Sequence, residues 1–216
     1  MFRRLLLAAT LAPTFANGCE VALALTVDVS GSINQEEYRL QMDGLADALM
    51  DGAISEALVR AQAKLAVMQW SGASRQDITI PWMQMATQAD VQALSDLVRS
   101  SPRPWRHFST AIGDALELSE ALFEEVPDCK RFVVDVSGDG YSNEGPSPAP
   151  IRDRLAAKGI VINGLAIEGS AFELTEYYKA NVQAGHGSFV YTAEGYEDYP
   201  RAIRRKIMDE ITEPVS

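Results

Sequence analysis

Histidine and cysteine are scarce in this chain. Of 216 residues, only His107 and His186 are histidines and only Cys19 and Cys129 are cysteines. The nucleophile-elbow pattern Gly-x-Ser-x-Gly is absent, and with so few histidines this argues against a serine hydrolase. No Gly-x4-Gly-Lys-Ser/Thr loop is present to cradle a nucleotide phosphate, and no Asp-x-Asp follows the first strand pattern. Basic residues are also in deficit, with 19 Lys and Arg against 30 Asp and Glu and a formal net charge of -11. Phosphate backbones are bound by clustered Lys and Arg, so nucleic acid is not an expected partner. Beyond the first residues no apolar run approaches the ~20 residues that span a bilayer. Neither an internal repeat nor a low-complexity run is visible.

The remaining composition is that of a globular chain, 47% hydrophobic and 23% charged, of a length that suits one domain with a sizeable core. Met1-Phe2-Arg3-Arg4 is a short basic segment, residues 5–11 are a brief apolar one, and Thr14-Phe15-Ala16 offers small residues at cleavage spacing. Residues 1–16 therefore read as a secretory signal peptide. Its removal takes Arg3 and Arg4 with it and moves the charge from -11 to -13. The expected product is an exported protein, periplasmic or secreted, with one domain over 19–212 and a short tail over 213–216.

Strand and helix patterns alternate along the domain. Strands are expected at 21–28, 63–70, 77–82, 131–136, 160–167 and 187–192. Helices are expected at 35–50, 89–99, 110–124, 151–158, 172–182 and 196–211. Pro146, Pro148 and Pro150 read as a surface loop, and His186 between two glycines as a turn residue. Such alternation predicts an α/β fold, a mostly parallel central sheet with helices on both faces. Residues 71–76 are too few for a crossover helix, so the second and third strands should form a hairpin, with one antiparallel strand at an edge.

The chemistry concentrates at Asp28-Val29-Ser30-Gly31-Ser32, directly after the apolar run of the first strand. A carboxylate and two hydroxyls alternate there, and Ser32 and Asn34 offer capping oxygens to the next helix, with Gln35 and Glu37 three residues on. Oxygen-only donors suit a hard divalent cation such as Mg2+. Two further loops carry matching groups in order. Thr110 lies in Phe108-Ser109-Thr110-Ala111-Ile112 at a helix start, and Asp139 ends the strand pattern Arg131-Phe132-Val133-Val134-Asp135-Val136-Ser137-Gly138-Asp139. Taken singly these are ordinary turn and cap residues.

Together the three segments resemble the metal-ion-dependent adhesion site of the von Willebrand factor type A (vWA) domain, and the likeness spans nearly the whole domain. Within that family the chain resembles an uncharacterised branch of exported bacterial proteins with a Cys just before the first strand and a Val-Ser-Gly-Asp-Gly turn. The resemblance implies a doubly wound sheet with the first and fourth strands adjacent. It implies Mg2+, or Mn2+, held directly by Ser30, Ser32 and Thr110, with Asp28 and Asp139 acting largely through water. It further implies a non-enzymatic role, in which an exposed Asp or Glu of a protein or peptide partner completes the coordination; on its own the domain is expected to be a monomer. The Gly before Asp139 departs from the usual Thr-Asp-Gly or Ser-Asp-Gly turn, which leaves Asp135 as the fallback ligand.

If those two strands are adjacent, Cys19, nine residues before Asp28, and Cys129, ten before Asp139, meet at their opposite ends. One disulfide then fits an exported protein. A lipidated Cys19 is the rival reading, against which Ala16-Asn17-Gly18 makes a poor lipoprotein signal. Candidate rim residues are Arg103, Trp105, Arg106 and Tyr141, the first three in a basic segment with Arg99 and His107 beside Thr110. A structural scaffold with an incidental metal, or a Mg2+-dependent hydrolase using Asp28, are the alternative functions.

Overall fold

The computed structural model describes residues 18–169, 171 and 173–212. The expected signal peptide and the tail lie outside them. Thirteen elements are described: β1 (Val21–Asp28), α1 (Gln35–Leu49), α2 (Gly52–Arg60), β2 (Lys64–Trp70), β3 (Gln76–Gln84), α3 (Gln88–Ser100), α4 (Ile112–Phe123), β4 (Arg131–Gly138), α5 (Pro148–Ala157), β5 (Ile160–Ile167), α6 (Leu174–Asn181), β6 (Val190–Ala193) and α7 (Tyr199–Thr212). The sheet runs β3-β2-β1-β4-β5-β6. It is parallel except for β3, which pairs antiparallel with β2 at the edge. β1 and β4 are thus adjacent at the centre.

The central strands read as nearly unbroken apolar runs because both faces are covered. Along β1 the faces alternate. Val21, Leu23, Leu25 and Val27 pack in the core that includes residues of α1, α2, α3 and α7, while Ala22 and Ala24 pack with residues of α4, α5 and α6. The second core admits only small residues on β1, so α4 comes close to the strand.

The register of β1 against β4 pairs Val21 with Arg131 and Val27 with Ser137. Cys19 and Cys129 share that offset, 110 residues apart, and form the disulfide with their Cα atoms 4.4 Å apart. The bridge thus clamps the amino ends of the two strands. The one-residue difference in spacing is taken up at the other end, where Asp139 stands one step beyond Asp28.

Several boundaries differ from the sequence reading. Helix α2 was not expected; Asp51 caps it by accepting from the backbone N–H of Ala53 and of Ile54. Pro148 and Pro150 belong to α5 rather than to a loop, since Pro148 occupies the first turn, where its missing N–H costs nothing. β4 runs on to Gly138, and β6 begins later than expected, at Val190. α7 starts at Tyr199 rather than 196. His186 does fall in a turn, between Gly185 and Gly187, both with positive φ.

Candidate metal centre

The carboxyl ends of β1 and β4 lie side by side, which is where open parallel sheets place their ligands. Asp28 ends β1 and is fully buried, and its Oδ1 accepts from the Ser30 backbone N–H at 2.7 Å. The chain then turns so that the Ser30 and Ser32 hydroxyl oxygens are 3.4 Å apart. Ser32 donates to Asp139 Oδ1 at 2.8 Å, which joins the first and third segments directly. Helix α1 is capped by Asn34, reciprocally with Glu37, rather than by Ser32. The Ser32 hydroxyl is therefore left to face Asp139.

Thr110 arrives from the other side. The Gly31 backbone N–H donates to Phe108 O at 2.8 Å, which sets the 107–110 segment against the first loop. Thr110 does not cap α4: Ala111 is the cap residue, and the Ile112 N–H is bound by Ser142 Oγ at 3.2 Å instead. Asn143 holds Thr110 from behind, its Oδ1 accepting from the Thr110 N–H at 2.9 Å while its own N–H donates to Thr110 O at 2.9 Å. Ser32, Thr110, Asp139, Gly140 and Tyr141 line one open cleft of about 930 Å³.

The electrostatics of this cluster are unbalanced. Asp28 Oδ2 and Asp139 Oδ2 are buried with no hydrogen-bond partner. Burial pushes the Asp28 carboxyl up to about 7, and the neighbouring Asp139 adds to it. Burial likewise raises Asp139, against the opposing Ser32 hydrogen bond. Two adjacent buried carboxyls with unused oxygens, beside three hydroxyls, suit a cation, since an oxygen-seeking ion would satisfy the orphaned atoms and cancel the repulsion. Among the described residues no group of three or more His, Cys, Asp or Glu is placed to hold a metal. The donor set here is mainly hydroxylic, a different chemistry.

The extra glycine has a steric reason. A Cβ at position 138 would lie 2.7 Å from the Tyr178 hydroxyl and 2.9 Å from Asp28 Oδ2. Gly138 thus lets Asp28 and Tyr178 approach the strand end, and Asp139 reaches the cluster. Asp135, the fallback, points elsewhere: its Oδ2 is 2.6 Å from Lys206 Nζ in the opposite core.

The expected rim divides. Arg103 donates to the carbonyls of Val29 and Ser30 at 3.0 and 2.7 Å, so its guanidinium braces the loop after β1. Arg103, exposed Arg106 and His107 line a second, smaller cleft beside Ser32. Trp105 is half-buried against the core. Arg99 is drawn away to Asp43 and Asp47 on α1. Tyr141 is exposed at the main cleft and meets the Tyr177 ring edge-on. Arg75, stacked 3.7 Å over the Phe108 ring, also lines that cleft and was not anticipated. It lies in the β2–β3 hairpin, and no local pattern ties that hairpin to Thr110. Tyr178 and Tyr196, which lie near Asp28 and Asp139, were missed likewise, because both fall in expected helices and read as helix aromatics.

Strand order and layers give this chain a vWA-like α/β fold, which solved structures share. Proximal thread matrix protein 1 from the mussel byssus, in a structure with a zinc-occupied MIDAS motif, superposes with a TM-score of 0.69 at 20% identity, covering 89% of this chain and 48% of that one. A von Willebrand factor type A protein from Catenulispora acidiphila gives 0.64 at 17% identity, over 91% and 44%. The pilus adhesin SpaC from Lactobacillus rhamnosus GG gives 0.64 at 13%, over 88% and 30%. This chain thus spans about half or less of the length of these proteins. No curated protein matches it significantly. The chain belongs to the family described as "Protein of unknown function (DUF1194)", whose model matches residues 18–215.

Proposed function

We propose that this domain is a cation-dependent binding module that captures an acidic group on another exported protein or peptide. The observation that carries the reading is the pair of buried, unpartnered oxygens, Asp28 Oδ2 and Asp139 Oδ2, beneath an open cleft lined by Ser32, Thr110 and Asp139, with the Ser30 hydroxyl next to that of Ser32. Ser30, Ser32 and Thr110 would hold Mg2+, or Mn2+, with Asp28 and Asp139 orienting waters around it. The ion supplies an electron-poor acceptor for a carboxylate, since few charged ligands quench it. Residues of this chain do the rest. Arg103 fixes the loop that carries Ser30, Asn143 fixes Thr110, and Tyr141, Arg106 and the Arg75–Phe108 stack form the surroundings a partner meets.

A non-catalytic role is supported by the burial of Asp28. It is 0% exposed beneath the loop, so a substrate has no approach to it as a nucleophile. The zinc-occupied MIDAS motif of the mussel protein supports divalent binding at this position of the fold, and the pilus adhesin supports a protein partner. No helix among the described residues is long and apolar enough to cross a membrane. We place the domain outside the cytoplasm, after removal of residues 1–16, where the Cys19–Cys129 bridge is stable.

The test is binding to an immobilised Asp/Glu-containing peptide library in Mg2+ and in chelator. Retention that requires Mg2+ and is lost in Thr110→Ala supports the module. Retention indifferent to both would replace it with a scaffold whose metal is incidental.

A further inference from the structure

A second set of charged groups lies in the interior between the sheet and α7, away from the cleft. Lys206 and Glu210 on α7, Asp135 on β4 and Asn163 on β5 are each at most 1% exposed. Lys206 Nζ is 2.6 Å from Asp135 Oδ2 and 2.6 Å from Glu210 Oε1. Ser137 Oγ donates to Asp135 Oδ1 at 2.9 Å. Asn163 Nδ2 donates to Glu210 Oε1 at 3.0 Å and is itself fixed, its Oδ1 accepting from the Phe189 N–H at 3.0 Å. One amine therefore faces two carboxyl groups in a buried core. Burial pushes Glu210 up to about 8, against the pull of Lys206. Burial thus favours the protonated form of Glu210, and in that form the cluster with Lys206 and Asp135 is neutral.

This arrangement holds an amine nucleophile, a carboxyl carbon, a hydroxyl donor on one carboxyl oxygen and an acid–base group, all in fixed contact. We propose that Lys206 and Asp135 become joined after folding by an amide bond between Nζ and Cγ, with Glu210 as the catalytic acid–base residue. The step balances without oxidant or cofactor. A proton passes from the Lys206 ammonium to Asp135 Oδ2, giving a free amine and a carboxylic acid. The nitrogen lone pair adds to Cγ, and the Ser137 hydroxyl stabilises the negative charge that develops on Oδ1. Glu210 gives its proton to the departing Oδ2–H and takes one back from the nitrogen. The Cγ–Oδ2 bond breaks, one water leaves, and Glu210 ends as it began. Glu210 Oε2, buried without a hydrogen-bond partner, is available to carry that proton.

Proximity drives the step, because amine and acid held in contact in an apolar interior react with an effective concentration on the order of 10⁵ M or more. Exclusion of water removes the reverse hydrolysis. The product ties the last helix to the central strand covalently, at a point remote from the disulfide. This inference does not depend on the cation reading.

Mass spectrometry of the purified, folded, then reduced and alkylated protein tests it. The expected result is a mass one water below that of the sequence from its measured N-terminus. A tryptic species should join residues 132–152 to a segment uncut at Lys206, with fragments placing the link at Asp135 and Lys206. The linked peptide separates this from cyclisation of an Asn or Asp elsewhere. Lys206→Arg, which keeps the charge, should show the full sequence mass, and Glu210→Gln should lose most of the linked species. A wild-type protein at full sequence mass, with the two peptides released separately, would overturn the proposal and leave a buried ion pair.

Discussion

Two pairs of buried carboxyl groups flank the same strand, β4, and the molecule treats them differently. Asp135 and Glu210 are closed in by the sheet and α7, and the chain supplies the positive charge itself through Lys206. Asp28 and Asp139 stand at the open end, with hydroxyls and waiting oxygens but no cationic side chain in contact with their free atoms. Arg103, the nearest guanidinium, is bound to the Val29 and Ser30 carbonyls. An interior charge pair that has its own counter-ion serves to fix a helix. One that lacks it, and sits just beneath an open cleft, is arranged for an ion from outside. The difference lies in what neutralises the pair, because burial is equally deep in both.

Removing the internal cation should have the largest effect. Lys206→Met removes the partner of Asp135, both as the amide nitrogen and as its counter-charge, leaves that carboxyl unpaired in the core and should destabilise the domain by about 3–5 kcal/mol, read from denaturant midpoints. At the open pair the sign should reverse. Asp28→Asn removes a repelling buried charge and should raise stability in chelator at pH 8 by roughly 1–2 kcal/mol, while Mg2+ no longer raises the melting temperature.

The same contrast predicts a pH dependence. The Asp28 carboxyl is raised by burial from 3.8 to about 7 in the folded, metal-free protein, so the folded state binds more protons than the unfolded one between those values. Its stability contribution is fully present below pH 4 and is lost as pH rises through 7, by roughly 2–4 kcal/mol. Melting in chelator at pH 5 and pH 8, with Asp28→Asn as reference, isolates this slope, and Mg2+ should flatten it. The smallest effect is expected from Asn143→Ala, which leaves the Thr110 N–H unbound and should cost about 1 kcal/mol, with a several-fold weaker Mg2+ affinity because Thr110 is no longer held.

Much of this was legible because the sheet is simple. The apolar runs and the short 71–76 connection marked the strands and the antiparallel edge, while the adjacency of β1 and β4 followed from the resemblance carried by the Asp28, Thr110 and Asp139 segments. That adjacency in turn placed Cys19 and Cys129 together at the amino ends of the two strands, where the disulfide lies. Helix α2 escaped because Asp51-Gly52 reads as a turn, although Asp51 is its cap. The Lys206–Asp135–Glu210 cluster was invisible for a different reason. Lys206 and Glu210 are an ordinary i,i+4 pair of a surface helix, and only the docking of α7 onto β4 turns them inward. Arg103 was assigned to the rim from its charge, and the carbonyls it braces belong to a loop over seventy residues away.

The central claim is that the open carboxyl pair, with its three hydroxyls, is built for a divalent cation. Calorimetric titration of Mg2+ into the metal-stripped protein, beside Asp28→Asn and Asp139→Asn, tests it most directly. The account predicts one ion bound per chain by the wild type and an affinity reduced at least tenfold in each variant, both of which remain folded. Wild-type protein that binds no Mg2+ or Mn2+, or variants that bind as tightly as the wild type, would contradict it.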